Sequence, residues 1–339
     1  MNHESSLRRI PASSLTPNPT PPQLLLAPLR GLTDYILRGS LQHHLGGFDL
    51  GLAPFISTVE RLGPRKARYL DDVLPRKNEY LPVIPQFLGN NPEQALRLCH
   101  ELHQLGHREV NWNLGCPFAP VTRKRRGAGL LPHPELVAAF LGAFLPNSPV
   151  RLSVKVRLGL TDPDELFGLL PVLADHDLSS IILHPRTALQ EYSGTVDLGR
   201  FEQVLAQCPH PVIYNGDLVD VAGFTGLLTR FGPLPGWMIG RGAIHDPTLA
   251  ARIKGRTFDE AGRRLALETL HQDLSAAYLE RYLTERMVLD RLKQLFRYLA
   301  RNFEAEEEIF TRVKRCKELA PYTEEALRIL REAPMKPLG

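Results

Sequence analysis

The stretch NWNLGCP at residues 111–117 places one thiol, Cys116, between a glycine and a proline, directly ahead of the loop sequence TRKRRGAGLL. The other cysteines, Cys99, Cys208 and Cys316, are widely separated, and no two cysteines have the spacing of a C-x-x-C metal or redox pair. This scatter argues against a disulfide framework or a zinc site and favours a reducing compartment. Cys99 and Cys208 lie among helical apolar residues, where an inert buried thiol is expected. Cys116 has no such explanation and is the candidate reactive thiol.

Polar side chains alternate with apolar ones in three predicted strands. In RLSVKVRLG, Lys155 and Arg157 lie on the face opposite the valines and leucines, and Asn113 does the same in EVNWNLG. In SSIILHPR, His184 and Arg186 share one face. Cations, amides and an imidazole that converge at one edge of a sheet are costly to bury without a polar or anionic ligand. The pattern therefore predicts a ligand site, although for each residue alone a hydrogen-bonded inward polar group or a surface ion pair explains it equally well.

The last two apolar runs both end in glycine-containing turns, NGD at 215–217 and GRG at 240–242. Each turn leads into a predicted helix, and the exposed backbone N–H groups of such turns bind phosphate. Barrels of alternating strands and helices often place a phosphate site after strands seven and eight. Arg241 adds a cation that can bind a phosphate through two N–H groups. Together the two turns predict a phosphorylated cofactor.

These residues belong to a regular alternation of short apolar runs and amphipathic segments. The runs begin near residues 24, 49, 83, 109, 151, 179, 211 and 236. Helices are predicted between most of them, for example over 92–106 and 134–145. The alternation predicts an α/β fold, a (β/α)8 TIM barrel, with its active site at the C-terminal ends of the strands. An open doubly wound sheet is the alternative, because strand count alone does not prove closure, and residues 56–82 have the least clear pattern.

The chain divides into three predicted regions. Residues 1–22 are rich in Ser, Thr and Pro and predict a disordered leader, with a cleaved organellar peptide as the alternative. Residues 23–255 form the predicted barrel domain. Residues 256–339 contain four amphipathic segments with apolar residues three and four apart, which predict a C-terminal all-α helical-bundle domain.

The composition bears on several functional classes. The chain has no uninterrupted apolar run of about 18 residues, so no transmembrane helix and no membrane partner is predicted. The scattered cysteines predict no metal site. A net charge of +4 is compatible with nucleic-acid binding but does not require it.

Taken together, the motifs resemble the tRNA-dihydrouridine synthases, flavin enzymes that reduce a uridine in tRNA. The matching stretches, in order over about residues 24–250, are APLRGLTD, PQFLG, NLGCP, GAGLL, KVRLG, HPRTALQEYSG, NGD and IGRGA. The helical tail, with RLKQLFRYLARNF, looks most like the bacterial branch that acts on uridine 16. The resemblance implies a cytoplasmic, monomeric enzyme with tRNA as its partner.

The resemblance also implies an FMN site made of three groups of residues. Those lining the flavin ring would be Ala27, Pro28 and Leu29. Gln86 and Lys155 would hydrogen-bond the polar edge of the ring, and His184 would lie near the ring and the phosphate. Those holding the ribityl phosphate end would be Asn215, Gly216, Asp217, Gly240 and Arg241.

Cys116 matches the catalytic acid of this family. Reducing the C5–C6 bond of uracil needs a hydride, which reduced FMN would deliver to C6, and a proton for C5. A thiol with a pKa of about 8.5 is protonated at neutral pH yet can still release its proton. NADPH or NADH would be the electron donor, although no separate nicotinamide-binding fingerprint is present.

Binding a tRNA requires further residues. The resemblance makes Asn113, Arg157, Arg186 and Tyr192 candidates for contacts with the uracil or nearby RNA. A uridine turned out of folded RNA also needs a positively charged docking surface. The candidates are the cations at 123–126 and a predicted helix face with Lys293, Arg297 and Arg301, for which a solvated helix face is the alternative.

Three positions depart from the usual family pattern. Leu29 replaces a methionine, Pro185 follows His184 where a small residue is common, and Pro54 stands where many relatives carry an acidic residue. Two other functions remain open on the sequence: a flavin-dependent reductase of a free small molecule such as a pyrimidine, and a non-catalytic RNA-binding protein.

Overall fold

The computed structural model describes residues 21–58 and 70–338. The predicted leader, residues 1–22, lies almost wholly outside the described residues. Residues 59–69, within the segment 56–82 whose sequence pattern is least clear, also lie outside the described residues. Residues 70–82 are described and contain a 3-10 turn, Pro75–Lys77.

All strand segments belong to one parallel sheet. They are β1 (Leu24–Leu26), β2 (Leu50–Leu52), β3 (Ile56–Ser57), β4 (Val83–Ile84), β5 (Gln86–Leu88), β6 (Glu109–Leu114), β7 (Arg151–Gly159), β8 (Ile181–Thr187), β9 (Val212–Asn215) and β10 (Trp237–Ile239). Their order in the sheet is β3-β5-β6-β7-β8-β9-β10-β1-β2-β4.

This order describes a closed barrel. β2 and β3 are two pieces of the second predicted strand, and β4 and β5 are two pieces of the third. Pro54 and Pro85 lie at the two interruptions, where a residue without a backbone N–H cannot continue the ladder. Because β2 pairs with β4 and β3 pairs with β5, both ends of the order belong to the same two neighbouring strands. The predicted eight-stranded barrel is confirmed, and the open sheet is wrong.

Helices cover the outside of the barrel. They are α1 (Tyr35–His44), α2 (Pro92–Gln104), α3 (Pro134–Phe144), α4 (Glu165–Ala174), α5 (Leu198–Gln207) and α6 (Val221–Phe231). Several begin with an aspartate or asparagine whose side chain accepts a hydrogen bond from the third following amide, as Asp34 does for α1. The apolar face of β6 points outward as predicted, since Trp112 stacks on Phe140 of α3 with ring centroids 4.0 Å apart.

The predicted helical tail is also confirmed. Its helices are α7 (Glu260–Arg281), α8 (Glu285–Leu299), α9 (Glu306–Arg315) and α10 (Leu319–Glu332). α8 ends at Leu299 and is followed by a 3-10 turn, Ala300–Asn302. The predicted helix face of Lys293, Arg297 and Arg301 is therefore wrong in part, because Arg301 lies in this turn and not on the α-helix.

A buried ionic cluster fastens the tail to the barrel. Arg291 of α8 donates to a carboxylate oxygen of Asp34 at 2.9 Å and to the carbonyl oxygens of Gly31 and Leu32. The Tyr278 hydroxyl donates to the other carboxylate oxygen of Asp34 at 2.9 Å and accepts a hydrogen bond from Arg291. Since Asp34 also caps α1, one carboxylate joins the barrel helix, the loop after β1 and the tail.

Within residues 21–58 and 70–338, no single helix is both long and apolar enough to cross a membrane. One bent pair of helical segments, Ala119–Leu130 with Pro134–Asn147, meets the length and composition requirement only when the two are taken together. The same ranges contain no group of three or more His, Cys, Asp and Glu side chains that could hold a metal ion.

Candidate active site

A cavity of about 520 Å³ opens at the C-terminal ends of the barrel strands. Its volume lies within the range of small-molecule sites. The predicted site residues that line it are Ala27, Pro28, Leu29, Asn113, Cys116, Lys155, Arg157, His184, Tyr192, Asn215, Gly216, Asp217, Gly240 and Arg241. The predicted residues that do not line it are Gln86, Arg186, Lys293, Arg297 and Arg301.

A chain of amide hydrogen bonds lies in the barrel interior beneath the thiol. Gln86 donates to the side-chain oxygen of Asn111 and accepts from Asn113, each at 2.8 Å. The side-chain oxygen of Asn113 in turn accepts the backbone N–H groups of Gly115, at 3.1 Å, and Cys116, at 2.9 Å. Gln86 is buried below the cavity. Its position supports Asn113 and, through Asn113, the backbone at Cys116, and does not support the predicted contact with a flavin edge.

The glycines after the basic loop pack directly on the thiol residue. Gly127 has φ +57°, and a Cβ at this position would lie 2.9 Å from the Cβ and the carbonyl oxygen of Cys116. The Ala128 amide donates to the Cys116 carbonyl at 3.1 Å. Gly129 approaches the carbonyl of Thr122 so closely that a Cβ would lie 2.4 Å from that oxygen. The NLGCP and GAGLL motifs therefore form one packed unit in which glycine is required.

The thiol is half-buried at the cavity wall. Burial raises the pKa of Cys116 above its ordinary value, and a hydrogen bond from the Phe118 amide and the charges of Arg30 and Arg157 oppose that rise. Because the net shift is upward, the group is a protonated thiol at neutral pH. Arg157 also donates to the Gly115 carbonyl at 3.0 Å and to the Thr187 carbonyl at 2.8 Å, which ties the thiol loop to the end of β8.

The cavity wall formed by β7 and β8, next to the thiol loop, carries several cations and an imidazole. Burial, and then the charge of Arg157, lower the pKa of Lys155 to about 7. Burial and the cations Arg157, Lys155, Arg186 and Arg241 lower the pKa of His184 well below its ordinary value, so this imidazole is neutral. An anionic ligand bound here would raise the pKa of both groups again and favour their charged forms. This part of the wall is therefore suited to an anionic ligand.

The two predicted phosphate turns meet at one end of the cavity. A Cβ on Gly216 would lie 2.8 Å from Val196, and a Cβ on Gly242 would lie 2.0 Å from the carbonyl oxygen of Leu218, so the turns pack without side chains there. Among the described residues, the backbone amides of Gly216, Asp217, Arg241 and Gly242 have no hydrogen-bond acceptor. Converging free amides of this kind form an anion-binding concavity.

Arg241 and Tyr192 stand at the rim of this concavity. The Arg241 guanidinium lies 4.0 Å from the centroid of the Tyr192 ring and 3.6 Å from a carboxylate oxygen of Asp217. Arg186, by contrast, is only 2% exposed and pairs with both carboxylate oxygens of Asp217, at 2.9 and 2.5 Å. It also donates to the Gly194 carbonyl. The predicted contact of Arg186 with RNA is not supported by this position; Arg186 instead holds the loop that carries Tyr192.

Pro185 is accommodated by an irregularity in the sheet. The pairing of β7 with β8 runs from Arg157 opposite His184 to Gly159 opposite Thr187, so one residue of β7 faces two of β8. A residue without a backbone N–H is tolerated at such a bulge.

The predicted tRNA-binding cations of the tail are engaged within the tail. Lys293 donates to the carbonyl oxygens of Lys314, at 3.0 Å, and of Cys316. Arg297 pairs with Glu307 at 2.6 Å, and Arg301 pairs with Glu306 at 3.5 Å. In the loop after the thiol, Arg123, Lys124 and Arg125 are exposed and form no ion pair with any described residue.

The lining residues that the sequence analysis did not predict include four with large charged or aromatic side chains: Arg30, Phe55, Phe118 and Tyr298. Arg30 occupies the variable position of APLRGLTD. Tyr298 comes from α8 and stacks on His245 with ring centroids 5.2 Å apart, so the tail contributes to the cavity wall. Its sequence signal, an aromatic residue at helical spacing, is the same as that of a core residue.

The fold and the cavity define a (β/α)8-barrel enzyme whose cavity has free backbone amides and Arg241 at one end and the Cys116 thiol on its wall. The family model described as "Dihydrouridine synthase (Dus)" matches residues 25–333. The chain belongs to this family and is an oxidoreductase.

Named relatives and solved structures agree with this family and fold. The tRNA-dihydrouridine(16) synthase of Cupriavidus necator is 32% identical over 239 residues, which cover 69% of this chain and 74% of that protein. The tRNA-dihydrouridine(16) synthase of Pasteurella multocida is 29% identical over 307 residues, 87% of this chain and 95% of that protein. Morphinone reductase in complex with tetrahydroNAD has a TM-score of 0.50 at 11% identity, covering 71% of this chain and 90% of its own. An old yellow enzyme homologue from Zymomonas mobilis has a TM-score of 0.50 at 11% identity, covering 73% and 92%. At these identities the two structures show the barrel fold alone.

Proposed function

We propose that this enzyme reduces a uridine of the tRNA D-loop, uridine 16, to 5,6-dihydrouridine, with FMN as cofactor and NADPH or NADH as reductant. The observation that carries the proposal is the Cys116 thiol on the wall of a cavity that has free backbone amides and Arg241 at one end. The family and the names of the relatives support tRNA as the substrate and uridine 16 as the position.

The residues present fit an FMN molecule. Free backbone amides and Arg241 surround the end of the cavity that would receive a phosphate. Ala27, Leu29 and Met238 provide apolar surface for a ring system, and Lys155 provides a donor for its polar edge. A bound FMN, once reduced by a nicotinamide, would supply the hydride.

The residues of the chain supply the proton and the positioning. The Cys116 Sγ would hold the proton at neutral pH and deliver it to C5 of the uracil, because burial keeps the pKa of the thiol high. Asn113 holds the backbone amides of the thiol loop, and Arg157 of β7 donates to a carbonyl of the same loop. Both would keep Sγ at a constant distance from the reacting carbon.

The tRNA would reach the site by turning its uridine out of the folded RNA. The exposed cations Arg123, Lys124 and Arg125 are the natural contacts for its phosphates, since no described carboxylate competes for them. Lys293, Arg297 and Arg301 would contribute only after giving up contacts within the tail. A monomeric state and a cytoplasmic location remain part of the proposal.

Replacing the thiol tests the proposal. Cys116→Ala should retain FMN and its reduction by NADPH but lose about 10²–10⁴-fold in dihydrouridine formation, the usual contribution of a general acid. Cys208→Ala, a half-buried thiol outside the cavity, is the control and should be fully active. Full turnover by Cys116→Ala would remove the proposed role. Reduction of free uracil without RNA would favour the small-molecule reductase, and a purified protein that takes up no flavin would favour the non-catalytic RNA-binding protein.

A further inference from the structure

A second groove, of about 780 Å³, lies beside the active cavity, between the end of the second barrel strand and the tail. Its barrel wall contains Arg30, Pro54 and Phe55, and its tail wall contains Tyr282 and Met287. Arg30 and Phe55 line the active cavity as well, so the groove and the cavity share one rim.

Arg30 is exposed at this shared rim. Its guanidinium lies 5.1 Å from the centroid of the Phe55 ring, and it forms no ion pair with a described residue. The loop is fixed on both sides of it, because the Leu29 amide donates to the Thr33 hydroxyl at 2.8 Å and Arg291 donates to the Gly31 carbonyl. The cation is therefore held at the rim before any ligand arrives.

Each described carboxylate that lines the groove is paired with an arginine. Asp34 pairs with Arg291 at 2.9 Å. Asp72 pairs with Arg38, and Asp290 pairs with Arg286, each at 3.0 Å. Arg281, a further cation of the groove, pairs with Asp71 at 3.5 Å. Among the described residues that line the groove, Arg30 is therefore the charge that remains available to a ligand, and this charge is positive.

We propose that this groove binds the nucleotide adjacent to the reduced uridine, with its base stacked on the Phe55–Arg30 pair and the phosphate between the two nucleotides bound by Arg30. The inference rests on the proposed function. A uridine drawn into the cavity brings its neighbour to the shared rim, where single-stranded bases stack on aromatic rings and guanidinium planes. An arginine over a ring still offers N–H donors to a phosphate.

Substitutions in the protein give the first test. Arg30→Ala and Phe55→Leu should raise KM for tRNA about tenfold, as expected when one stacked base is lost. Because both residues also line the active cavity, FMN affinity and the rate of reduction by NADPH are measured in parallel, and KM for tRNA should change by more than either. Arg97→Ala, an exposed arginine of α2 that lines neither the cavity nor the groove, is the control for charge. An unchanged KM in Arg30→Ala, or a defect confined to reduction by NADPH, would overturn the inference.

Substitutions in the RNA give the second test. Two tRNAs are prepared, each with an abasic site on one side of the target uridine. For the natural enzyme, one of the two abasic tRNAs should have a KM about tenfold higher than the intact tRNA. For Arg30→Ala, the KM of the same abasic tRNA should be close to that of the intact tRNA, because the substitution and the abasic site remove the same contact. Additive effects with both tRNAs would overturn the inference. Failure of the natural enzyme to reduce unmodified tRNA would refute the proposed function instead, so the two failures are distinguishable.

Discussion

Arg291 and Arg286 lie on the same helix, and each pairs with an aspartate at about 3 Å, but only Arg291 is buried. Arg291 is 7% exposed, whereas the Arg286 side chain is 68% exposed. Arg291→Ala would remove the one arginine that, among the described residues, pairs with the Asp34 carboxylate, and would leave the Gly31 and Leu32 carbonyls without this donor. Breaking a buried pair on one side costs about 3–5 kcal/mol. Arg286→Ala should cost about 0.3–0.5 kcal/mol, the usual value for an exposed pair four residues apart on a helix.

The assay is urea unfolding of both variants, followed by circular dichroism at one protein concentration. A loss of 3 kcal/mol changes the folded-to-unfolded ratio by about two orders of magnitude, so the Arg291→Ala midpoint should fall well below that of Arg286→Ala. Arg291→Ala should also bind FMN less tightly, because Ala27, Pro28 and Leu29 precede the loop that Arg291 holds.

The expected difference between the two variants comes from the burial of Arg291. Equal midpoints for Arg291→Ala and Arg286→Ala would refute it. A lowered midpoint with unchanged FMN affinity would show that the cluster stabilises the tail without positioning the cavity loop.

Three further results are expected. FMN affinity should be constant below pH 7 and decrease above it. In the enzyme without FMN, Lys155 has a pKa of about 7, and a bound anion favours its charged form. Lys155→Met should abolish this pH dependence in a fluorescence titration. Gly127→Ala should destabilise the fold by about 1–3 kcal/mol and slow dihydrouridine formation, since residue 127 has φ +57°. Gly142→Ala is the control, because a Cβ at residue 142 of α3 would meet no atom within 4 Å. It should stabilise the fold by about 0.5–1 kcal/mol in the same urea unfolding assay. Replacing the three cations at 123–125 by alanine should lower tRNA affinity and flatten its salt dependence. Lys293→Ala should have a smaller effect, because Lys293 donates to a carbonyl oxygen within the tail. Equal effects of the two changes in filter binding would contradict the assignment of the docking surface to the loop at 123–125.

The inward residues of the barrel were predictable because strand alternation is a local property. Asn113, Lys155 and Arg157 follow the two-residue period of their strands, and the structure places all three on the cavity wall. The same rule placed His184 and Arg186 on one face, but the bulge opposite Pro185 lies between them. His184 lines the cavity, while Arg186 is buried against Asp217.

The tail contacts were not predictable, because they depend on how separate helices pack. The spacing of Lys293 and Arg297 predicts a common helix face, but their partners come from α9 and the residues after it. Tyr298 reaches the cavity because the tail packs against the barrel, where the Arg291 cluster is one of the contacts that hold α8. Gln86 was assigned to a flavin edge by resemblance, and its burial beneath Asn113 depends on amide hydrogen bonds between two strands that no single-strand pattern encodes.

The central claim is that one cavity holds a flavin and a proton-donating thiol for the reduction of uridine in tRNA. The most direct measurement incubates the purified chain with FMN, NADPH and unmodified tRNA and maps the product nucleotides by mass spectrometry. We predict that uridine 16 gains the mass of two hydrogen atoms, and that Cys116→Ala leaves it unchanged while still oxidising NADPH. A flavin-loaded natural enzyme that oxidises NADPH but adds no hydrogen to any tRNA uridine would contradict the claim.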